Sequence, residues 1–514
     1  MENNKASTGV NRAKLWQLCL FAFNNGATNI YYILTSIYIT YYANGVLGLM
    51  LIFATTMVTI MRVFDGITDP IIGLLIDKNQ GKFGKFRPFM LLGNIIMAIS
   101  AIIMYFVTRS IPESVMWLRY VSFTVTYILY VIGYTFQTAC TKSGQTCITN
   151  DPKQRPLFSI FNTIASLAGM GFIQIVSVAV GGKYGFGNGN FFDVVVPLAI
   201  VLSVILTLLA VIGIWEKDRP EFFGIDVNPK KVKTRDYLII LKNNKELRML
   251  IAGGVGTKLA FAIANNTAVA CMLYASLMGN YKGLYLPFYA MGYIATVPFF
   301  ILSLRTARKK GQKQALTRYT KLALIFYVGL LVLLSLWQQG NPATQLNLKH
   351  INLYTILYII FYSIGYGSYY CTADMDIPMV ADCADYETYR SGNYVPGIIG
   401  TLFSFVDKII SSLSSTIVGL SVIALGLSNL PDTNTPYIEG MKWLVIVLFC
   451  VIPMLAWITV LIAMKHYSLT GDRMKEIQAV NAVRKDAIAK GMNIYEAMEK
   501  WQTIDQVPNE FIGE

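Results

Sequence analysis

The residues best suited to chemistry are two carboxylates and a guanidinium, Asp65, Asp69 and Arg62, inside the apolar run RVFDGITDPIIGLLID. This run is hydrophobic enough to lie in a bilayer. A charge at that depth is costly, and charged residues inside membrane segments usually have a functional role. The sequence therefore predicts that these three side chains work inside a membrane.

Their spacing places all three charges on one face of a helix. At about 100° per residue, positions 62, 65 and 69 fall within an arc of roughly 60°. Two carboxylates one turn apart repel each other in a low dielectric, so one takes up a proton or both share a cation. The pattern favours a Na⁺ or H⁺ site, with Asp65 and Asp69 as metal ligands if the ion is Na⁺. A static Arg–Asp lock between helices is the alternative.

Two hydroxyls are predicted to complete this site. Asp65 lies about 19 residues into the second apolar span and Thr135 about 20 into the fourth, so a rise of ~1.5 Å per residue puts them at one depth. The hydroxyl oxygens of Thr135 and Thr68 suit a small hard cation. Thr135 could equally donate to its own helix backbone, and the sequence leaves that alternative open.

Further polar side chains recur at mid-depth, which favours a polar, uncharged substrate with many hydroxyls. Lys408 lies about 11 residues into the eleventh span, a depth that leaves it little to snorkel to, and we expect it to donate hydrogen bonds to the substrate; a snorkelling lysine is the alternative. Neutral amides and hydroxyls occupy four other spans: Asn25, Asn29, Thr138, Asn162, Asn265 and Asn266. Each of these alone could instead join two helices.

Membrane helices are the elements that must position these residues. The chain of 514 residues is 54% hydrophobic and 14% charged, with a mean hydropathy of +0.50, whereas soluble domains carry roughly 25% charged residues. Its long apolar runs are continuous, which predicts helices and not a β-barrel. The two histidines and seven cysteines show no metal-ligand or catalytic spacing. The predicted fold class is an all-α membrane protein that is not an enzyme.

Twelve transmembrane helices are predicted, at approximately 15–43, 46–76, 88–108, 115–144, 157–181, 194–215, 248–277, 283–305, 314–338, 351–379, 397–427 and 439–465. Basic residues gather in the connections after even-numbered spans: Lys78, Lys82, Lys85, Arg87, Lys153, Arg155, Lys217, Arg219, Lys230, Lys231, Lys233, Arg235, Arg305, Arg308, Lys309, Lys310 and Lys313. By the positive-inside rule both termini are cytoplasmic in a cytoplasmic membrane protein. The net charge of +14 therefore sets topology and does not indicate nucleic-acid binding.

The long polar connection 216–247 predicts a cytoplasmic central loop between two six-helix halves, 1–215 with the cation site and 248–465. A weak repeat supports this division, because TDPIIGLLIDKNQGKFGK and ATVPFFILSLRTARKKGQK each place a proline before a basic turn. Parallel six-helix repeats are typical of the major facilitator fold. Residues 466–514 are predicted to form a cytoplasmic amphipathic tail, its helix capped by Thr470.

Four stretches carry a resemblance to a known family: RVFDGITDPIIGLLIDKNQGKFGKFRPF, MVADCADYETYRSG, FVDKIISSLSS and YSLTGDRMKEI. In this order they resemble the glycoside–pentoside–hexuronide:cation symporters, the branch of the major facilitator superfamily that contains the melibiose permease. The resemblance implies that Asp65 and Asp69 bind the coupling cation. It also matches Thr135 to the helix-IV threonine of that family and Lys408 to its helix-XI lysine.

The substrate side departs from the family pattern. The melibiose permease has a helix-I aspartate, a helix-IV aspartate, a stacking tryptophan and a helix-V arginine where this chain has Asn29, Thr138, Lys142 and Asn162. The resemblance implies that these positions contact the substrate, but it does not name the sugar, and the gain of Lys142 leaves an anionic glycoside possible. Thr68 replaces an asparagine of that permease, which leaves Na⁺, Li⁺ and H⁺ open.

The expected function is cation-coupled symport of a glycoside or related sugar by alternating access. We expect a monomer in the bilayer whose partners are a small glycoside and a monovalent cation, with no cofactor beyond the coupling Na⁺ or H⁺. The alternatives are a carrier of a non-sugar amphiphile such as a lysolipid, or a sugar receptor that does not transport. An enzyme would need a nucleophile–base pair or metal cluster, and a channel would need a continuous polar stripe; the sequence shows neither.

Overall fold

A computed structural model describes residues 12–79, 81, 83–149, 155–219, 234–372, 375–392, 396–508 and 511. Every regular element within these residues is a helix, with no strand among them, which confirms the all-α prediction. Five of the basic residues that are predicted to set the membrane topology lie outside the described residues: Lys82, Lys153, Lys230, Lys231 and Lys233.

The first of two compact units comprises the described residues up to 219 together with 415–436. Its long helices are α1 (Leu15–Ile33), α2 (Leu51–Lys78), α3 (Arg87–Ile102), α4 (Met116–Ile148), α5 (Arg155–Tyr184) and α6 (Gly189–Ile214). Helix α1 continues through two π-helical turns, Leu34–Tyr38 and Tyr42–Val46, on either side of a short α-helical stretch, Ile39–Tyr41. Helix α3 continues through the π-helical turn Ile103–Val107.

The second unit comprises the described residues of 234–414 and those from 437 onward. Its helices are α7 (Thr234–Asn243), α8 (Lys245–Ala264), α9 (Thr267–Ala270), α10 (Tyr281–Lys310), α11 (Gln312–Ser335), α12 (Leu353–Tyr370), α13 (Asp376–Ser391), α14 (Pro396–Ala424), α15 (Met441–Ile446), α16 (Ile452–His466), α17 (Gly471–Ala489) and α18 (Ile494–Lys500). Helix α14 belongs to this unit up to Ser414 and to the first unit from Ser415. The π-helical turns are Cys271–Leu277 and Val447–Val451.

Ten helices of the described chain are long and apolar enough to cross a membrane. They coincide with ten of the twelve predicted spans and make this a multi-pass membrane protein. The remaining predicted spans, 15–43 and 351–379, are also largely helical. Helix α1 is continuous but contains several asparagines, and α12 is rich in tyrosine. These polar residues lower the hydropathy of both helices.

Small residues and one buried carboxylate hold the first unit together. A Cβ added at Gly93 of α3 would lie 2.7 Å from the carbonyl oxygen of Gly133 on α4, so only glycine allows this close approach. Asp218, which is fully buried after α6, accepts the backbone N–H groups of Lys85 at 2.8 Å and Arg87 at 2.9 Å. A negative side chain at the N-terminus of α3 also suits the helix dipole.

The segment 415–436 packs within the first unit and is tied there by hydrogen bonds. The Asp432 carboxylate accepts the backbone N–H of Phe186 at 2.9 Å. The Tyr41 hydroxyl, between the two π turns of the first helix, donates to the carbonyl oxygen of Pro431 at 2.7 Å. The end of α14 and the loop after it are therefore anchored to residues far away in sequence.

The predicted tail forms α17 and α18, which pack in the second unit against α13. The guanidinium of Arg484 donates to the carbonyl oxygens of Trp501 and Tyr389 at 2.6 and 2.7 Å. Thr470 occupies the N-cap position of α17, but the predicted side-chain cap is wrong, because its hydroxyl makes no capping bond and its carbonyl oxygen accepts the N–H of Arg473 instead. On α13, burial and the neighbouring Asp385 raise the pKa of Asp382 to about 6.

Candidate functional site

Asp65 is the buried carboxylate of α2 and is only 2% exposed. The Thr135 hydroxyl of α4 lies 2.9 Å from Asp65 Oδ1 and 2.9 Å from the carbonyl oxygen of Val131. A hydroxyl has one hydrogen to donate, and a charged acceptor makes the stronger bond. The structure thus allows both predicted roles of Thr135, carboxylate partner and backbone donor, and the carboxylate is the better acceptor.

Thr68 adds a second hydroxyl to this group. Its Oγ1 donates to the backbone oxygen of Asp65 at 3.0 Å and lies 3.3 Å from Thr135 Oγ1. Thr68 is also buried. The structure therefore brings Asp65, Thr68 and Thr135 together, from two helices, as a cluster of oxygen atoms of the kind that binds small hard cations.

Arg62 lies on the other side of the Asp65 carboxylate. Its Nη1 is 3.7 Å from Asp65 Oδ2, which is an ion pair but too long for a hydrogen bond. Its shorter contact is a 2.8 Å hydrogen bond from Nη2 to Ser36 Oγ, and its Cζ lies 4.6 Å from the centre of the Tyr32 ring. The shortest contact of the guanidinium is therefore to the π turn that continues α1, and its contact with Asp65 is longer.

A small cavity adjoins Asp65 and Arg62 and measures about 20 Å³. That volume is enough for one water molecule or a small ion. The residues that line it come from three helices and one π turn: Tyr32, Thr35, Ser36, Met61, Arg62, Asp65, Tyr127, Tyr130, Val131 and Tyr134. An ion entering this space would meet a carboxylate oxygen, hydroxyls, tyrosine rings and the guanidinium of Arg62.

Asp69 lies one turn beyond Asp65 on the same face of α2. Its side chain is partly exposed, and it is not among the residues that line the cavity. The second predicted carboxylate therefore sits next to the site along the helix axis rather than in the cavity wall.

Three of the predicted substrate residues form a chain of amides between α1 and α5. Asn29 Nδ2 donates to Asn25 Oδ1 at 2.9 Å, and Asn25 Nδ2 donates to the carbonyl oxygen of Asn162 at 3.3 Å. The side-chain oxygen of Asn162 is buried and has no hydrogen-bond partner among the described residues. Asn25 thus joins two helices, while Asn29 and Asn162 retain hydrogen-bonding capacity for a ligand.

The other predicted substrate residues are spread over both units. Thr138 donates to the carbonyl oxygen of Thr135 at 3.2 Å, and Lys142, one turn further along α4, is exposed. In the second unit Lys408 is partly buried on α14. Asn265, at the end of α8, bonds to Tyr366 and Tyr369 of α12.

The sequence analysis missed Gln137, which is fully buried in the first unit. Its Nε2 donates to the carbonyl oxygen of Met90 at 3.2 Å and to Thr207 Oγ1 at 3.0 Å, and its Oε1 accepts the hydroxyl of Thr28 at 3.3 Å. One side chain therefore connects α4 to α3, α6 and α1. The sequence did contain a signal for this role. An amide in the middle of an apolar span, two residues after Thr135, must find hydrogen-bond partners on other helices.

Comparison with known proteins adds independent evidence. A family model described as MFS/sugar transport protein matches residues 20–471. The chain is 27% identical over 448 residues to the putative glycoside/cation symporter YagG of Escherichia coli strain K12, covering 86% of this chain and 89% of the relative. It is 22% identical over 436 residues to the lactose permease of Leuconostoc lactis, covering 81% and 64%.

Solved structures share the fold at low sequence identity. A bacterial homologue of the human drug peptide transporters PepT1 and PepT2 has a TM-score of 0.56 at 12% identity, covering 89% of this chain and 99% of the other. At that identity the likeness bears on the fold alone.

Proposed function

This chain belongs to the MFS/sugar transport protein family, and on that premise we propose that it carries a glycoside or related sugar across the cytoplasmic membrane together with Na⁺ or H⁺. Membership confirms the predicted resemblance and makes the chain a multi-pass membrane transporter, not an enzyme. The coupling ion, the substrate and the direction of insertion are part of the proposal.

The observation that carries the proposal is the carboxylate of Asp65, buried in a membrane helix beside two hydroxyls and a cavity large enough for one ion. A buried carboxylate is costly unless it is paired or protonated. A monovalent cation or a proton at Asp65 would relieve that cost, and Asp69 would supply the second carboxylate.

Cation binding would act on the sugar through the helices that carry both sites. Thr135 contacts Asp65, and Thr138 lies one turn further along the same helix. A cation that orders α2 against α4 would therefore favour the substrate-binding form of α4. By linkage the sugar must raise cation affinity by the same factor. The carrier would then alternate between its outward- and inward-open forms.

On the substrate side we propose Asn25, Asn29, Asn162, Thr138 and Lys142 in the first unit, with Asn265 and Lys408 in the second. Neutral amides and a lysine suit the hydroxyls of a sugar. The basic residues after even-numbered spans put both termini in the cytoplasm. We propose that the transporter acts as a monomer.

The amphiphile alternative would be favoured by an apolar slot beside the polar site. The structure has an apolar groove of about 310 Å³ between α3 and α6. It shares no lining residue with the cavity at Asp65. This groove therefore gives the amphiphile alternative no support, and the sugar remains the proposed substrate.

The test is Asp65→Asn in the full-length protein, reconstituted in proteoliposomes. We expect wild-type sugar binding and uptake to be stimulated by Na⁺, or by low pH if the ion is H⁺, and the variant to lose this stimulation. Uptake separates a transporter from a receptor that binds without transporting.

The matched control is Asp193→Asn, which removes a carboxylate of the same unit that pairs with Arg109 at 2.7 Å on the surface. It should keep full cation stimulation. Stimulation that survives in Asp65→Asn would refute the proposed cation site.

A further inference from the structure

The seventh predicted span is broken in its middle. Helix α8 ends at Ala264, Asn265 and Asn266 leave the helical path, and a short helix starts again at Thr267. Asn266 has an extended backbone, and its side-chain oxygen accepts the N–H of Ala268 at 2.9 Å. The break is therefore a defined structure in which Asn266 caps a new helix.

The break faces a wet side of the second unit. Irregular backbone at membrane depth occurs only where it is buried in protein or lines a water-filled space. Asn265 and Asn266 are both partly exposed, so they are not enclosed in protein. Their exposed parts must then border water and not lipid.

Asn265 is held in a fixed orientation by two tyrosines of α12. Tyr366 donates to Asn265 Oδ1 at 3.2 Å, and Asn265 Nδ2 donates to the Tyr369 hydroxyl at 2.9 Å and to the carbonyl oxygen of Phe261 at 3.0 Å. Both tyrosines are buried. These bonds use both hydrogens of the amide and leave one acceptor position on its oxygen.

Asn266 offers the complementary groups. Its oxygen is engaged in the cap, whereas its NH₂ group donates to no residue in the part of the chain that the structure describes. A primary amide carries two hydrogens that can be donated. The two neighbouring asparagines thus present an acceptor and a pair of donors on the wet side.

An aromatic surface begins one turn before this break, where the ring centres of Phe261 and Tyr370 are 5.2 Å apart. Tyr293 of α10 and Tyr370 of α12 are partly exposed, with ring centres 5.0 Å apart, and Tyr289 donates to the Tyr293 hydroxyl at 3.1 Å. The two rings therefore form a partly exposed aromatic surface shared by α10 and α12.

We propose that Asn266, Tyr293 and Tyr370 form a substrate-contact surface within the second unit that takes one pyranose ring of a glycoside. The tyrosines would stack on the C–H face of the ring, since tyrosine combines a rigid apolar ring with a polar tip. Asn266 donates to a ring hydroxyl, and Asn265 accepts from another. Tyr366 and Tyr369 are positioning residues. The inference rests on the proposed function and adds the side chains that recognise the ring.

The test compares two variants of this surface in the detergent-solubilised full-length protein. A thermal-shift screen of lactose, 4-nitrophenyl β-D-xylopyranoside and 4-nitrophenyl β-D-glucuronide first selects the glycoside with the largest shift, because binding to the folded state raises its stability. Asn266→Ser keeps a good N-cap but removes the amide donors. We expect Asn266→Ser and Tyr370→Leu to raise the dissociation constant of that glycoside on the order of tenfold.

The positioning role is tested by Tyr366→Phe, which frees Asn265 Oδ1 from its donor. We expect weaker glycoside binding on the order of threefold, at an unchanged midpoint for Na⁺ stabilisation. The matched control is Tyr327→Phe in the same unit, because the Tyr327 hydroxyl is buried without a hydrogen-bond partner among the described residues. This control should bind the glycoside like the wild type.

The outcomes separate this inference from the proposed function. If no glycoside of the panel stabilises the wild type, both are refuted. If the wild type is stabilised and Asn266→Ser and Tyr370→Leu bind equally well, only the contact surface is refuted. If Tyr327→Phe weakens binding as much as Tyr366→Phe, the tyrosines act through packing and the positioning role is wrong.

Discussion

Helix α4 of the first unit and helix α12 of the second both present polar side chains to buried neighbours, but their chemistry differs. On α4, Thr135 meets the carboxylate of Asp65, and Gln137 bonds to three other helices. On α12, tyrosines recur at every fourth position from Tyr354, and the rings of the later ones pack on one another: Tyr358, Tyr362, Tyr366 and Tyr370.

This difference indicates that the two regions have different roles. A carboxylate with hydroxyl neighbours changes charge when a cation or proton binds, so the α4 region can respond to an ion. Tyrosines stay neutral near pH 7 and offer rings and hydroxyls, so the α12 region suits shape and hydroxyl recognition. Ion binding and ring recognition therefore need not share residues, and each can be altered alone.

The largest expected effect on stability is at Gln137. Gln137→Leu removes three buried interhelical hydrogen bonds, and such bonds in membranes are worth ~0.6 kcal/mol each, so we expect a loss of about 2 kcal/mol in unfolding free energy. The counterpart on α12 is Tyr358→Phe, which removes one bond to Tyr274 and should cost about 0.6 kcal/mol. Thermal denaturation in detergent measures both, and equal losses would contradict the comparison.

The next effect concerns the charge beside Asp65. Arg62→Gln removes a fixed positive charge 3.7 Å from Asp65 Oδ2 that competes with an incoming cation. We expect cation affinity to rise on the order of tenfold, because the guanidinium repels a cation bound at the same carboxylate. Sodium titration of glycoside binding measures this, or a pH titration if Na⁺ has no effect.

Arg109→Gln serves as the control for that variant, because it removes an arginine of the same unit that pairs with Asp193 at the surface. It should leave cation affinity unchanged. A loss of stability in Arg62→Gln without a gain in cation affinity would instead favour the static Arg–Asp lock.

The smallest expected effect concerns the pH dependence of stability in the second unit. We expect it to arise from a carboxylate of α13 and not from the tyrosines of α12. The raised pKa of Asp382, about 6, means that its ionised form destabilises the folded protein, and stability falls as pH rises from about 4 to about 6. Asp382→Asn should raise stability at pH 7 by about 1 kcal/mol, since partial exposure screens the charge. It should also flatten the pH profile of thermal denaturation, whereas the exposed Asp505→Asn should not.

Depth and periodicity predicted much of this architecture from the sequence. Counting residues from the ends of two apolar spans placed Thr135 beside Asp65, and the structure has these side chains in hydrogen-bond contact. This succeeded because both lie on regular helices with a constant rise. Ten apolar spans were found for the same reason.

Contacts that depend on how helices face each other were not predictable in this way. Asp69 shares a helix face with Asp65, yet only Asp65 lines the cavity. The partners of Gln137 come from three other helices, which no periodicity along α4 reveals. Nor does hydropathy show the break at Asn265, because the residues on both sides of it are apolar.

The two π turns of the first helix also decide where that helix can lose a residue. Each π turn holds one residue more than an α turn, so deleting one residue from Leu34–Tyr38 would give an ordinary α turn and leave the helix beyond it facing as before. Tyr41 would then still point towards Pro431, to which it donates. The same deletion between Leu15 and Ile33 would instead rotate everything after it by about 100°.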